Sequence, residues 1–210
     1  MLRVVVVDDH PVVREGLKRI IAESNELSVA AEAGDGEEAL QTLRNQPCDV
    51  VLLDVSLPKK SGLEVLKQLR SEQPRLPVLI LSMHSEDEYA VRMLRAGASG
   101  YLTKESSSAN LISAIRKVVR GGRYVSPALA ERLAFDLQTD SDRPAYETLS
   151  DREYQILCML SGGKTVSQIA AELSLSVKTI STYRVRVLEK LRLKNNAELM
   201  RYAIKQGLVA

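Results

Sequence analysis

Cysteine is scarce in this chain. Cys48 and Cys158 stand 110 positions apart, outside any Cys-x-x-Cys or histidine-rich grouping, so neither a disulfide framework nor a zinc site is supported. Both are read as buried, small apolar residues. Long apolar runs are absent too: none approaches the roughly 20 residues that a bilayer crossing needs. The apolar stretch at the start, up to Val7, is too short for a signal peptide. No membrane partner is therefore expected, and the chain is expected to be cytoplasmic. Only two histidines occur, His10 and His84, with no nucleophile motif such as Gly-x-Ser-x-Gly nearby, which favours a structural or tuning role over acid–base catalysis.

What is present is ordinary globular composition, with 45% hydrophobic and 27% charged residues. At 210 residues the chain exceeds the roughly 100–150 of a single domain, so two small domains are expected. The net charge of +2 names no partner, but its distribution does. Residues 1–147 hold 19 Lys/Arg against 22 Asp/Glu, whereas 148–210 hold 10 against 5. The excess of positive charge in the last third suits a polyanion.

Strand-like runs at Arg3–Val7, Ser28–Ala33, Val50–Asp54, Val78–Ser82 and Gly100–Leu102 alternate with amphipathic helices such as the one carrying Val13, Leu17, Ile20 and Ile21. Strands apolar on both faces and separated by helices imply parallel pairing. Five such units predict an α/β fold, a doubly wound five-stranded parallel sheet with ligands bound outside the carboxyl ends of its strands. The pattern weakens after Gly121-Gly122. A polar stretch ending at Pro144 places a linker at 122–147, with a short helix at Pro127–Leu133. The expected domains are 1–121, the linker 122–147, and a smaller all-α domain at 148–210.

Asp8 and Asp9 end the first strand and Asp54 the third, and those strands are expected to be neighbours. Any one aspartate there is ordinary turn or cap chemistry. Three carboxylates at one rim repel, and a small hard cation such as Mg²⁺, keeping several waters, relieves that repulsion at a site that also receives a phosphoryl group. Ser82 closes the fourth strand and Lys104 follows the fifth. A carboxylate that accepts a phosphoryl group needs a fixed cation and a hydroxyl donor for the phosphoryl oxygens, and these residues are of those types.

On these residues the first 121 positions resemble the receiver domain of two-component response regulators, a flavodoxin-like fold. The resemblance implies that Asp54 is the phosphoacceptor and that Asp9, Asp54 and the Ser56 carbonyl ligate Mg²⁺, with Asp8 acting through a metal-bound water. Ser82 and Lys104 would be the switch hydroxyl and the phosphoryl-binding lysine, and Tyr101 the aromatic switch residue. Lys59 and Lys60 depart from the residues usual in that loop.

The last third begins with Ser150 and Glu153 in a capping-box spacing that launches a helix carrying Tyr154, Ile156, Leu157 and Leu160. A helix at about Val166–Leu173, a turn at 174–176 and a basic helix at about Val177–Leu191 form a helix-turn-helix pattern. On the third helix Ile180, Tyr183, Val187, Leu188 and Leu191 share a face expected in the core. Opposite them Ser181, Thr182 and Val185 are placed to approach base edges. Lys178, Arg184, Arg186 and Lys190 flank them as phosphate clamps. Residues 149–205 resemble the LuxR-type output domain through Leu149–Glu153, Ile169-Ala170…Leu173, Ser176–Ile180 and Lys190-Leu191. That resemblance adds Thr179 to the DNA-facing set.

Together the resemblances indicate the NarL/FixJ subfamily: a DNA-binding transcriptional regulator rather than an enzyme. It would be phosphorylated by a histidine kinase or an acyl phosphate and form a homodimer on double-stranded DNA when phosphorylated. RNA polymerase is a candidate further partner. Two other readings stay open, a regulator whose DNA binding ignores phosphate and an aspartyl-phosphate hydrolase. Ser56, where a haloacid-dehalogenase-type hydrolase has a second aspartate, counts against the latter.

Overall fold

Runs such as Val4–Val7 and Val50–Leu53 are apolar on both faces, and branched side chains suit a pleated surface covered on both sides. The computed structural model describes residues 1–83, 86–127, 129–131 and 144–208, without the side chains of 86–88. His84, residue 128 and most of the polar stretch 138–144 lie outside the described residues. So does the end of the expected short helix, although Pro127 and residues 129–131 are helical. The chain divides into two compact units, Met1–Leu129 and Ala130–Ala210.

In the first unit the apolar runs form β1 (Leu2–Val7), β2 (Leu27–Ala33), β3 (Val50–Asp54), β4 (Val78–Ser82) and β5 (Gly100–Thr103). All pair in parallel, in the order β2-β1-β3-β4-β5. The connecting helices are α1 (Pro11–Ala22), α2 (Gly36–Asn45), α3 (Gly62–Glu72), α4 (Glu86–Arg95) and α5 (Ser108–Val119). Their starts are set locally. Pro11 stands in the first turn of α1, Asp35 accepts from Glu37 N and Glu38 N at 2.9 Å, and Ser61 and Glu64 form a capping box.

One face of the sheet, through Val4, Val6, Val50, Leu52, Leu79, Leu81 and Leu102, packs on Leu17 and Ile21 of α1 and on Leu111, Ala114, Ile115 and Val118 of α5. The alternate strand residues Val5, Val7, Val51, Leu53, Ile80 and Tyr101 are also buried, as two-sided covering requires. Cys48 differs from expectation. It follows α2 at the edge of the unit and is only half-buried, and desolvation, then Asp49, push its thiol up to about 11.

From Pro144 onward the second unit opens with a 3₁₀ turn (Ala145–Thr148). Helices α6 (Asp151–Ser161), α7 (Val166–Glu172), α8 (Val177–Leu191) and α9 (Asn196–Lys205) follow. Ile156, Leu157, Ile169, Leu173, Ile180, Val187, Leu199 and Ala203 are buried. Helix α6 is buried almost all round and packs on α8 and α9. Helix α9 was not separately expected, although Asn195, accepting from Glu198 N at 3.0 Å, is a legible start signal. Tyr183, expected in the core, is half-buried, and the Arg186 guanidinium lies 5.8 Å from its ring centre.

Candidate functional site

Register brings the acidic residues together. Val7 pairs with Leu53, so Asp8 and Asp54, one step further along neighbouring strands, emerge at the same level. Ser82 pairs with Thr103 on the other side of the rim, and Lys104 N donates to Ser82 O at 2.8 Å, which starts the lysine back toward the carboxylates. Its ammonium lies 2.6 Å from Asp8 Oδ2 and 3.0 Å from Asp54 Oδ2. The backbone of Asp8 is itself held, with its N–H donating to Ala33 O at 3.1 Å and its carbonyl accepting from Arg14 at 2.7 Å.

Asp8 is 1% exposed and Asp54 3%, so both charges are nearly removed from water. Burial, resisted by Lys104 and reinforced by Asp8 and Asp9, raises the Asp54 carboxyl to about 6. Asp9 is raised for the same first reason, with His10 pulling the other way. For Lys104 burial acts downward, but the carboxylates of Asp54 and Asp8 outweigh it and the ammonium is raised. One lysine thus faces two buried carboxylates, with a third beside them.

Oxygens of Asp8, Asp9 and Asp54 and a nitrogen of His10 lie within 4.8 Å of one another. Apart from the contacts of Asp8 Oδ2 with Lys104 and of Asp9 Oδ1 with His10 at 2.7 Å, these two buried oxygens receive no hydrogen bond from the described residues. Buried, under-satisfied carboxylate oxygens fit a hard divalent cation. His10 is a poor member of such a set, being a nitrogen donor with a side chain 62% exposed.

Ser82 and Tyr101 are both fully buried, and Ser56 is half-buried two residues beyond Asp54. Gly62, which no sequence motif marks, also shapes the site. A Cβ there would overlap the Asp54 carbonyl oxygen, while Gly62 N donates to Val55 O at 2.9 Å, so the close approach of α3 fixes the backbone that carries Asp54. The two departing lysines point to other partners: Lys59 pairs with Asp35 at 2.6 Å and Lys60 with Gln68 at 3.0 Å.

In the second unit, Lys178, Thr182, Val185 and Arg186 of α8 are exposed, and Thr179, Ser181 and Arg184 are half-exposed. The apolar Val185 is 47% exposed beside these charges. Arg184 Nε donates to Asn196 Oδ1 at 2.6 Å, which orients the guanidinium without neutralising it. Lys190 differs from its neighbours. Its ammonium is 2.6 Å from Glu153 Oε2, the same oxygen that accepts from Ser150 N at 2.7 Å in the capping box of α6.

A parallel sheet with an acidic, lysine-braced rim, joined to a helix-turn-helix unit with a basic outer helix, defines a signal-receiving, DNA-binding regulator. The comparisons with known proteins make this specific. Residues 4–116 match the response regulator receiver domain and residues 147–203 the bacterial regulatory proteins of the luxR family. The chain is 41% identical over 210 residues to the response regulator GacA of Pseudomonas viridiflava, covering 100% of this chain and 98% of the relative. It is 35% identical over 209 residues to the response regulator UvrY of Escherichia coli K12, covering 99% and 96%. Among solved structures, the response regulator ChrA of a heme-sensing two-component system aligns at 33% identity and a TM-score of 0.53, covering 99% of this chain and 98% of that one. A LuxR-family response regulator from Aurantimonas sp. SI85-9A1 aligns at 38% identity and a TM-score of 0.60 over 65% of this chain and 97% of that one. The chain belongs to the response regulators of two-component systems, of the NarL/FixJ type, with a receiver domain and a LuxR-type DNA-binding domain. Among the described residues no helix is long and apolar enough to cross a membrane.

Proposed function

We propose that Asp54 is the phosphoacceptor of this regulator and that α8 presents the DNA-reading surface, with residues 1–121 as receiver, 122–147 as linker and 148–210 as output domain. The observation that carries the first assignment is the ammonium of Lys104 held 3.0 Å from Asp54 Oδ2 within a buried triad of aspartates. An Asp54 oxygen attacks the phosphorus of a phosphohistidine or acyl phosphate. A P–O bond to Asp54 forms as the donor's P–N or P–O bond breaks, and the electron pair leaves with the donor. Lys104 favours the ionised nucleophile against its burial and then faces the charge on the phosphoryl oxygens. Asp8, Asp9, Asp54 and the Ser56 carbonyl would hold Mg²⁺, which supplies positive charge against the phosphoryl oxygens when bound.

Ser82 donates its hydroxyl to a phosphoryl oxygen, and the buried Tyr101 ring follows it. Phosphorylation shifts the equilibrium between two states by its differential interaction with them. Ser181, Thr182 and Val185 approach base edges, with Thr179 beside them, while Lys178, Arg184 and Arg186 clamp phosphates. Lys190, grouped with these clamps from the sequence, is engaged by Glu153, and we assign it to maintaining the fold. A cytoplasmic location, a histidine kinase donor, a homodimer on promoter DNA, RNA polymerase as a further partner and the absence of catalytic turnover complete the reading.

Incubation with Mg²⁺ and acetyl phosphate tests it by intact-protein mass. One stoichiometric adduct, absent in Asp54→Ala and accompanied by tighter operator binding, is the expected result. An adduct that survives Asp54→Ala, rapid multiple turnover, or operator binding indifferent to the adduct each contradicts it.

A further inference from the structure

The segment leaving α5 returns to the sheet. Gly121, with a left-handed φ of 83°, reverses the chain, and Gly121 N and Gly122 N donate to Val118 O and Lys117 O at 3.0 Å. Tyr124 is then laid along the outer edge of β5. Its N–H donates to Ser99 O at 3.0 Å and its carbonyl accepts from Tyr101 N at 3.1 Å, a one-residue parallel bridge opposite Gly100. Without it this edge would present unpaired backbone groups. Gly100 makes the approach sterically allowed, because a Cβ there would stand 2.6 Å from Tyr124 O and 2.9 Å from Tyr124 Cβ. The Lys117 ammonium, 5.8 Å from the Tyr124 ring centre, adds a side-chain contact.

The edge so covered is the one that carries Tyr101. On its inner side Tyr101 pairs with Ile80, and Thr103 pairs with Ser82. The Tyr101 backbone is therefore held between β4 and Tyr124 while its ring is fully buried. A displacement of the Tyr101 backbone must either carry the Tyr124 bonds with it or break them. Tyr124 is also near the start of the connection to the second unit. Freeing residues 122–126 would add five residues of tether, up to about 17 Å of reach.

We infer that Tyr124 is the coupling residue between the phosphoacceptor rim and the output domain: its docking on β5 stabilises buried Tyr101, and a phosphoryl group on Asp54, by favouring that same position, tightens the strap and shortens the tether. This rests on the Asp54 reading. Because coupling is reciprocal, loosening the strap must also weaken the phosphorylated state.

Backbone amide hydrogen exchange by NMR on the full chain with Mg²⁺, with and without beryllofluoride as phosphoryl mimic, tests the coupling. The Tyr101 and Tyr124 amides are expected to exchange at least tenfold more slowly with the mimic. Gly100→Ala, or Tyr124→Pro, which deletes the donor to Ser99 O, should abolish that slowing and raise the beryllofluoride concentration needed to saturate the site. Should the amides around Asp54 and Ser82 respond to the mimic in the wild type while Tyr101 and Tyr124 exchange unchanged, the coupling is overturned and the Asp54 reading stands. Should no amide near Asp54 respond, both fail. The wild-type comparison decides the matter even if the variants do not fold.

Discussion

Lys190→Ala separates a charge that binds DNA from a charge that holds the fold. Glu153 is 3% exposed, while the Lys190 side chain is 42% exposed, and their contact is 2.6 Å. Breaking a buried pair costs about 4 kcal/mol and an exposed one about 0.5 kcal/mol. A buried carboxylate with a solvent-screened partner falls between them, at about 2 kcal/mol. The loss should appear as amide exchange in α6 and α8 faster by about 25-fold, since 1.4 kcal/mol is a factor of ten. For Glu153, burial acts upward on the carboxyl, but Lys190 and the Ser150 groups outweigh it, and its pKa in the folded state is lowered. The stabilisation is therefore complete above the unfolded value of about 4.3 and is lost as the pH falls through the lower folded value, so the variant and wild type converge in acid. If Lys190→Ala leaves exchange in α6 and α8 unchanged and instead reduces the slope of log affinity against log salt by about one, Lys190 is a phosphate clamp and the reasoning is wrong.

Arg186→Ala should weaken specific and random duplexes alike and lower the salt slope by about one, whereas Thr182→Ala should change sequence preference at constant slope; identical behaviour of the two in a binding titration would contradict the division of the α8 surface. Gly62→Ala forces a methyl group onto the Asp54 carbonyl and should destabilise the receiver by about 1–3 kcal/mol in urea unfolding, with slower acetyl phosphate labelling. A variant as stable as wild type would refute that close approach. Asp54→Asn should stabilise the protein at pH 7 without divalent cations by about 3 kcal/mol, the roughly two-unit rise of the Asp54 carboxyl at about 1.4 kcal/mol per unit. The folded pKa of about 6 is above the unfolded one, so ionised Asp54 costs stability that returns as the pH falls from about 6 toward 4. Unfolding curves at pH 4 and 7 check this, and an equal gain at both would argue against an ionised, poorly solvated Asp54.

The legibility of the site differs from residue to residue. Asp8, Asp9, Asp54, Ser82 and Lys104 were readable because each stands at the carboxyl end of an apolar run, and parallel packing puts all such ends on one rim. Gly62 was not, because what forbids a side chain there is the Asp54 carbonyl eight residues earlier, brought close only by the loop before α3. Tyr183 was assigned to the core from helical periodicity, which gives a direction around the α8 axis but not how far the neighbouring helices extend over it. Helix α9 carried a readable cap at Asn195 and Glu198 that periodicity alone does not reveal.

The order of strands and helices, the capping boxes at Ser61 and Ser150 and the bounds of α8 were determined by residues a few positions apart, since side-chain alternation, helical period and cap hydrogen bonds are short-range. Partner choice was decided only by the tertiary structure. Lys104 reaches back 96 residues to Asp8, Lys190 takes Glu153 as its partner, and Tyr124 closes the edge of β5. A charge or a backbone donor has many partners of suitable chemistry along the chain, and packing alone selects the one within about 3 Å.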